Sequence, residues 1–216
     1  MMTTIKVVVF DCDGVMFDTQ EANMAYYNDI LTHFGRPSMT CEQFSYSYMH
    51  TAEKSLDYLI ADPEVRKNAL RYCKAMDYAP FIKQMRMNPE LKPLLRRLRS
   101  RCKTAVATNR TETMARVMVE HNLETYFDFV VCALDVHRPK PYPDPLEKIL
   151  DYFKVSSQEA LFIGDSKVDE LAASACGVPL AAFNNPSLNA EFHISSLLQI
   201  EEIINNTHAR CERNKA

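Results

Sequence analysis

Four short segments of this 216-residue chain carry side chains able to do chemistry together. Asp11 and Asp13 flank Cys12 and are followed by Gly14; Thr108 and Asn109 form a second group; Lys140 stands in a proline-rich stretch; and Gly164-Asp165-Ser166 is followed by Asp169. Four aspartates brought close would repel one another unless a cation joined them. That implies a hard divalent ion held by oxygens, with Mg²⁺ the expected species. Acids, a metal, an ammonium and a hydroxyl make a site suited to a phosphoryl group.

Convergence of these residues depends on the elements that carry them. Residues 5–10, 104–107, 127–133, 161–163 and 180–183 are continuous apolar runs, as expected of strands buried on both faces of a parallel sheet. Helical patterns fall at 89–101, 112–122, 145–153 and 168–176, with a last one at 194–204. Asp11 follows the first strand, Thr108 the second and Asp165 the fourth, while Lys140 lies in the loop beyond the third. In an open α/β sheet the ligand crevice lies outside the carboxyl ends of the strands, so all four groups point to one place.

More than ninety residues separate the first two strands, far too many for one crossover. Helical patterns at 21–34, 40–48, 51–61 and 63–87 fill this interval, with no comparable β-rich run. The expected architecture is α/β: a doubly wound, Rossmann-like parallel sheet with a helical cap domain inserted after the first strand. The core comprises residues 1–17 and 88–207, the cap residues 18–87, and residues 208–216 form a polar tail expected to be disordered.

Composition excludes several alternatives. A chain 47% hydrophobic and 25% charged is globular in proportion, and a net charge of -3 without a basic cluster speaks against a nucleic-acid partner. No apolar run approaches the roughly 18 residues of a membrane helix, so no membrane partner is expected. Seven cysteines, odd in number and without a CxxC pair, suggest neither zinc nor a disulfide framework; they suit reduced thiols in the cytoplasm. Nothing here indicates an oligomeric state.

The four segments resemble, in order, the motifs of the haloacid dehalogenase superfamily. They match its phosphatase branch with a helical cap, of the phosphoglycolate phosphatase and β-phosphoglucomutase kind. VVVFDCDGVMFDT resembles the first motif, TAVATN the second, KPYPDP the third and LFIGDSKVDELAASACGV the fourth. The resemblance implies that Asp11 is the nucleophile, forming an aspartyl-phosphate, and that Asp13 is the general acid and base. It implies that Thr108 and Asn109 bind the phosphoryl group and that Lys140 neutralises charge on it and on Asp11. Asp11, Asp165 and the main-chain carbonyl of Asp13 would ligate Mg²⁺, with Asp169 holding a metal-bound water or orienting Lys140. An acid at position 13 favours an oxygen leaving group, since a departing halide needs no proton. Two departures stand out: Val15-Met16-Phe17 where Thr-Leu is commoner, and Arg110 where family phosphatases often have lysine.

Plainer readings exist for each group. A lone DxDG can belong to a calcium loop, but there the glycine stands sixth, not fourth. Asp169 in a helix's first turn also complements the dipole. In the cap, His50, Thr51 and Lys54 could meet a substrate carboxylate or second phosphate, or be solvated helix positions. Arg66, Lys67, Arg71 and Lys74 read as a solvated face. Tyr26, Tyr27, Phe44, Tyr46 and Tyr48 read as cap core or cap–core contact, and Cys12 as packing. The expected function is a Mg²⁺-dependent phosphatase for a small phosphorylated metabolite. The alternatives are a mutase that keeps the aspartyl-phosphate, a pyrophosphatase, and a signalling receiver domain. Receivers carry the acceptor aspartate after the third strand and lack such an insertion.

Overall fold

Val7–Phe10 form β1 in the computed structural model, which describes residues 4–213. Val8 and Phe10 pack with Ile5, Leu161 and Ile163 on one face, and Val7 and Val9 with Ala160 and Phe162 on the other. A strand with a core on each side must be apolar throughout, which is why this one does not alternate. The chain next forms a two-residue strand, β2 (Phe17–Asp18), and enters the helices α1 (Gln20–His33), α2 (Cys41–Met49), α3 (Ala52–Leu59), α4 (Pro63–Ala75) and α5 (Ala79–Ile82). Local chemistry marks these starts. Thr40 and Gln43 form a capping box on α2, and Asp62 caps α4 with Pro63 at its first position.

β3 (Arg86–Met87) pairs antiparallel with β2, so the chain leaves and re-enters the core through adjacent strands. Strand and helix then alternate: α6 (Leu91–Leu98), β4 (Lys103–Ala107), α7 (Thr113–Glu120), β5 (Phe129–Val131), α8 (Asp144–Phe153), β6 (Ala160–Gly164), α9 (Lys167–Cys176), β7 (Leu180–Phe183), β8 (Phe192–Ile194) and α10 (Gln199–Arg213). The main sheet is parallel, in the order β5-β4-β1-β6-β7-β8. Leu91, Leu94, Leu95 and Leu98 of α6 share one buried face with Val117 of α7 and Ile200 of α10. Leu146 and Ile149 of α8 and Ala172 of α9 cover the other. The fold is therefore the expected three-layer α/β core with an inserted helical cap. Among the described residues, no helix is long and apolar enough to cross a membrane.

Several boundaries differ from the sequence expectation. Residues 192–194, partly read as helix, form the sixth strand: Ile194 is buried and His193 exposed, the one-sided pattern of an edge strand too short to stand out. The expected helix over 63–87 breaks after Ala75 and gives way to α5 and β3, with Pro80 in the first turn of α5. The expected strand over 127–133 contracts to Phe129–Val131. α10 continues to Arg213, so residues 208–213 of the expected polar tail are helical, while 214–216 lie outside the described residues.

Candidate active site

The carboxyl ends of three central strands deliver the chemistry. Asp11 follows β1, and its N–H still donates to the Ile163 carbonyl at 2.9 Å, so the sheet's own ladder holds it. Thr108 follows β4 and is tied in the same way to the Val131 carbonyl, at 3.0 Å. Asp165 follows β6. Two glycines make the approach possible. A Cβ on Gly14, whose φ is +82°, would lie 1.9 Å from Asp165 Oδ2, and one on Gly164 would lie 2.4 Å from Asp169 Cβ.

Lys140 arrives from the loop after β5 and is 2% exposed. Its Nζ lies 2.7 Å from Asp11 Oδ1 and 2.7 Å from Asp169 Oδ1. The Cys12 N–H also donates to Asp11 Oδ1, at 2.7 Å. Asp169 is fully buried, and its second oxygen accepts from the N–H and hydroxyl of Ser166 at 3.0 and 2.5 Å, closing the first turn of α9. Asp169 thus orients both the ammonium and the Asp165 loop.

Asp13 has a different partner. Arg110 grips it with two bonds, Nε to Oδ2 at 2.8 Å and Nη2 to Oδ1 at 2.6 Å, while Nη1 donates to the Tyr78 hydroxyl at 2.9 Å. In the sequence Arg110 is only a departure from the family pattern. Its salience comes from a contact between residues 97 apart, which no local pattern announces. Asn23, on α1, adds a longer bond to Asp13 Oδ1 at 3.4 Å.

Burial and charge divide the acids. Burial pushes the Asp11 carboxyl up to about 7; Lys140 works against the rise, and Asp169 and Asp13 add to it. Burial, with the charges of Asp11 and Asp169, takes Asp165 to about 8. For Asp13 burial acts upward too, but the Arg110 guanidinium, with hydrogen bonds from Arg110, Thr19 and Asn23, holds it below its ordinary value. Burial opposes the charge on Lys140, yet Asp11 and Asp169 raise its pKa.

Asp11, Asp165 and Asp169 each offer a carboxylate oxygen, all within 4.8 Å of one another. Among the described residues, no hydrogen-bond donor reaches the Asp165 carboxylate, and Lys140 is shared by the other two. A half-buried, unpartnered carboxylate among all-oxygen donors fits a hard divalent cation.

These groups floor a cavity of about 80 Å³ between sheet and cap. Asp11, Asp13, Thr108, Asn109, Lys140 and Asp165 all line it, as does His50 from the cap. His50 stacks on Tyr46 with ring centroids 4.0 Å apart, and its Nδ1 lies 2.8 Å from the Tyr46 carbonyl. Lys54 is exposed on α3 and does not line the cavity. Cys12 packs into the core. Tyr26, Tyr27 and Tyr48, read from sequence as packing, also face the cavity, joined by Ser47 and Tyr78. Nothing in the cap sequence separates a ring that lines a cavity from one that fills a core.

The profile of the haloacid dehalogenase-like hydrolases matches residues 8–183. A Caldanaerobacter subterraneus protein provisionally named a pyrophosphatase, PpaX, is 31% identical over 192 residues, covering 81% of this chain and 79% of its own. The Thermotoga maritima protein named phosphorylated carbohydrates phosphatase is 26% identical over 212 residues, covering 93% and 97%. The crystal structure of a HAD-superfamily hydrolase, subfamily IA, variant 1, from Geobacter sulfurreducens superposes with a TM-score of 0.76 at 36% identity, covering 94% of this chain and 97% of that one. With the family profile spanning most of its length and the fold in agreement, the chain belongs to the haloacid dehalogenase-like hydrolases.

Proposed function

We propose that the protein is a Mg²⁺-dependent phosphatase of a small phosphorylated metabolite, acting through an aspartyl-phosphate on Asp11. The observation that carries this reading is the state of Asp11. One of its oxygens is held by Lys140 and the Cys12 N–H, and the other is bonded to no donor among the described residues, at the floor of a cavity under the cap. Asp11 Oδ2 attacks phosphorus and the bond to the leaving oxygen breaks, with Asp13 giving that oxygen its proton. Water then attacks the phosphorus and passes a proton to Asp13, the acyl phosphate bond breaks, and the Asp11 carboxylate returns with inorganic phosphate. Both Asp13 oxygens accept from Arg110, so the acid form requires the guanidinium to give up a bond.

Lys140 steadies the charge that grows on the phosphoryl oxygens. Thr108 through its hydroxyl and Asn109 through its main-chain N–H, beside it, are the proposed phosphoryl contacts. Asp11, Asp165 and the Asp13 carbonyl would hold Mg²⁺, with Asp169 behind Lys140; the bound ion would neutralise the phosphoryl group. Of the three cap positions, His50 lines the cavity and is the proposed substrate contact, while Thr51 caps α3 and Lys54 is exposed. The cytoplasm is the proposed compartment, which suits cysteines that form no disulfide among the described residues.

With Mg²⁺ the purified protein should hydrolyse p-nitrophenyl phosphate, and both chelation and Asp11→Asn should abolish turnover. Full activity in Asp11→Asn would overturn the mechanism. The name of the Caldanaerobacter relative favours a second reading, pyrophosphate hydrolysis; release of two orthophosphates from pyrophosphate under the same conditions tests it.

A further inference from the structure

Resting on the phosphatase reading, we infer that the preferred leaving group is a small neutral alcohol bearing at least one further hydroxyl, and that substrates with a second anionic group are rejected. Two buried polar atoms on cavity-lining residues have no hydrogen-bond partner among the described residues: Ser47 Oγ from cap helix α2 and Asn109 Oδ1 from the loop after β4. Ser47 is only 2% exposed. The Asn109 amide is oriented by its neighbours, because its nitrogen donates to two main-chain carbonyls, Met49 at 3.3 Å and Lys140 at 3.0 Å. The atom left over is therefore an oxygen, which can only accept.

Buried polar atoms without partners are costly, and a ligand that satisfies them recovers that cost. Hydroxyl groups suit either atom, since a hydroxyl can donate to Asn109 Oδ1 or accept from Ser47 Oγ. A carboxylate or a second phosphate brings acceptors alone and would set oxygen against Asn109 Oδ1. Charge acts in the same direction. Among the described residues, the Lys and Arg side chains lining the cavity are Lys140 and Arg110, and each is already paired with buried carboxylates. Asp11, Asp13 and Asp165 face the same space, and beyond Lys140, Arg110 and the proposed Mg²⁺ no Lys or Arg among the described residues lines it to meet a second anion. The cap also contributes Asn23, His50 and the hydroxyl-bearing rings of Tyr26, Tyr27 and Tyr48, with Tyr78 beside Arg110.

The experiment compares kcat/KM at a single fixed pH across five substrates. The substrates are glycerol 1-phosphate, its deoxy counterpart propyl phosphate, 2-phosphoglycolate and inorganic pyrophosphate, with p-nitrophenyl phosphate as the general phosphatase probe. Glycerol 1-phosphate should exceed propyl phosphate by about tenfold or more, and should exceed both dianionic-plus substrates. In Ser47→Ala the glycerol-to-propyl ratio should fall about three- to tenfold. A ratio near one in the unaltered protein, a ratio unchanged in Ser47→Ala, or a preference for phosphoglycolate or pyrophosphate overturns the inference while aryl phosphate turnover leaves the phosphatase reading standing. Absence of turnover on every ester overturns that reading and the inference with it.

Discussion

Burial first, and then the negative charge around them, raises the carboxyls of Asp11 and Asp165, so that a metal ion at this site would compete with protons. Their carboxyls are raised to about 7 and about 8, against an ordinary 3.8 in the unfolded chain. The metal-free folded state therefore holds protons that the unfolded chain has released. Stability contributed by these groups is full below 3.8 and is lost as pH rises from there to about 7 to 8. A bound cation stabilises the ionised pair, so the Mg²⁺-induced rise in melting temperature should be larger at pH 8 than at pH 6 in a thermal shift assay. Asp13 carries the opposite sign. Arg110 depresses its pKa, so its stabilising contribution is present at neutral pH and fades only in acid. Arg110→Ala leaves that carboxylate buried without its partner and should cost about 3–5 kcal/mol in urea denaturation at pH 7.

At the level of elements, the site depends on how closely loops can approach. Gly14 sits where a side chain would overlap the Asp165 carboxylate and where φ is positive. Gly14→Ala should abolish the Mg²⁺-induced thermal shift while far-UV circular dichroism stays that of the folded protein. Helix starts are more forgiving, because a cap contributes locally: Asp62→Ala should destabilise α4 by about 1 kcal/mol, read as faster amide exchange in that helix. The strands that carry the site were legible because each is a continuous apolar run ending in a polar residue, and strand ends of a parallel sheet share one edge. β8 was not, since three residues with a single buried side chain make no pattern. Nor was the Arg110–Asp13 grip, which joins the loop after β4 to the loop after β1 through tertiary structure alone. The cap was legible as helices by periodicity, but its division at Ala75 depended on packing.

Across the whole molecule, cap and sheet are not separately packed. One buried apolar cluster runs from Phe10 and Leu161 in the sheet through Phe17 to Ile30, Leu56 and Phe81 in the cap. Leu56→Ala should cost about 2–5 kcal/mol, and a single shared unfolding transition for cap and core is the expected outcome in calorimetry. The central place of β1 also sets a timetable. Its residues 7–10 pair with 103–106 on one side and 160–163 on the other. The strand bearing Asp11 is thus synthesised before both neighbours and must wait for them, a long-range closure of the kind that slows folding. A fragment ending before Ala160 should therefore show neither turnover nor a response to Mg²⁺. Synthesis from the N-terminus keeps the proposed nucleophile idle until β6 has been made.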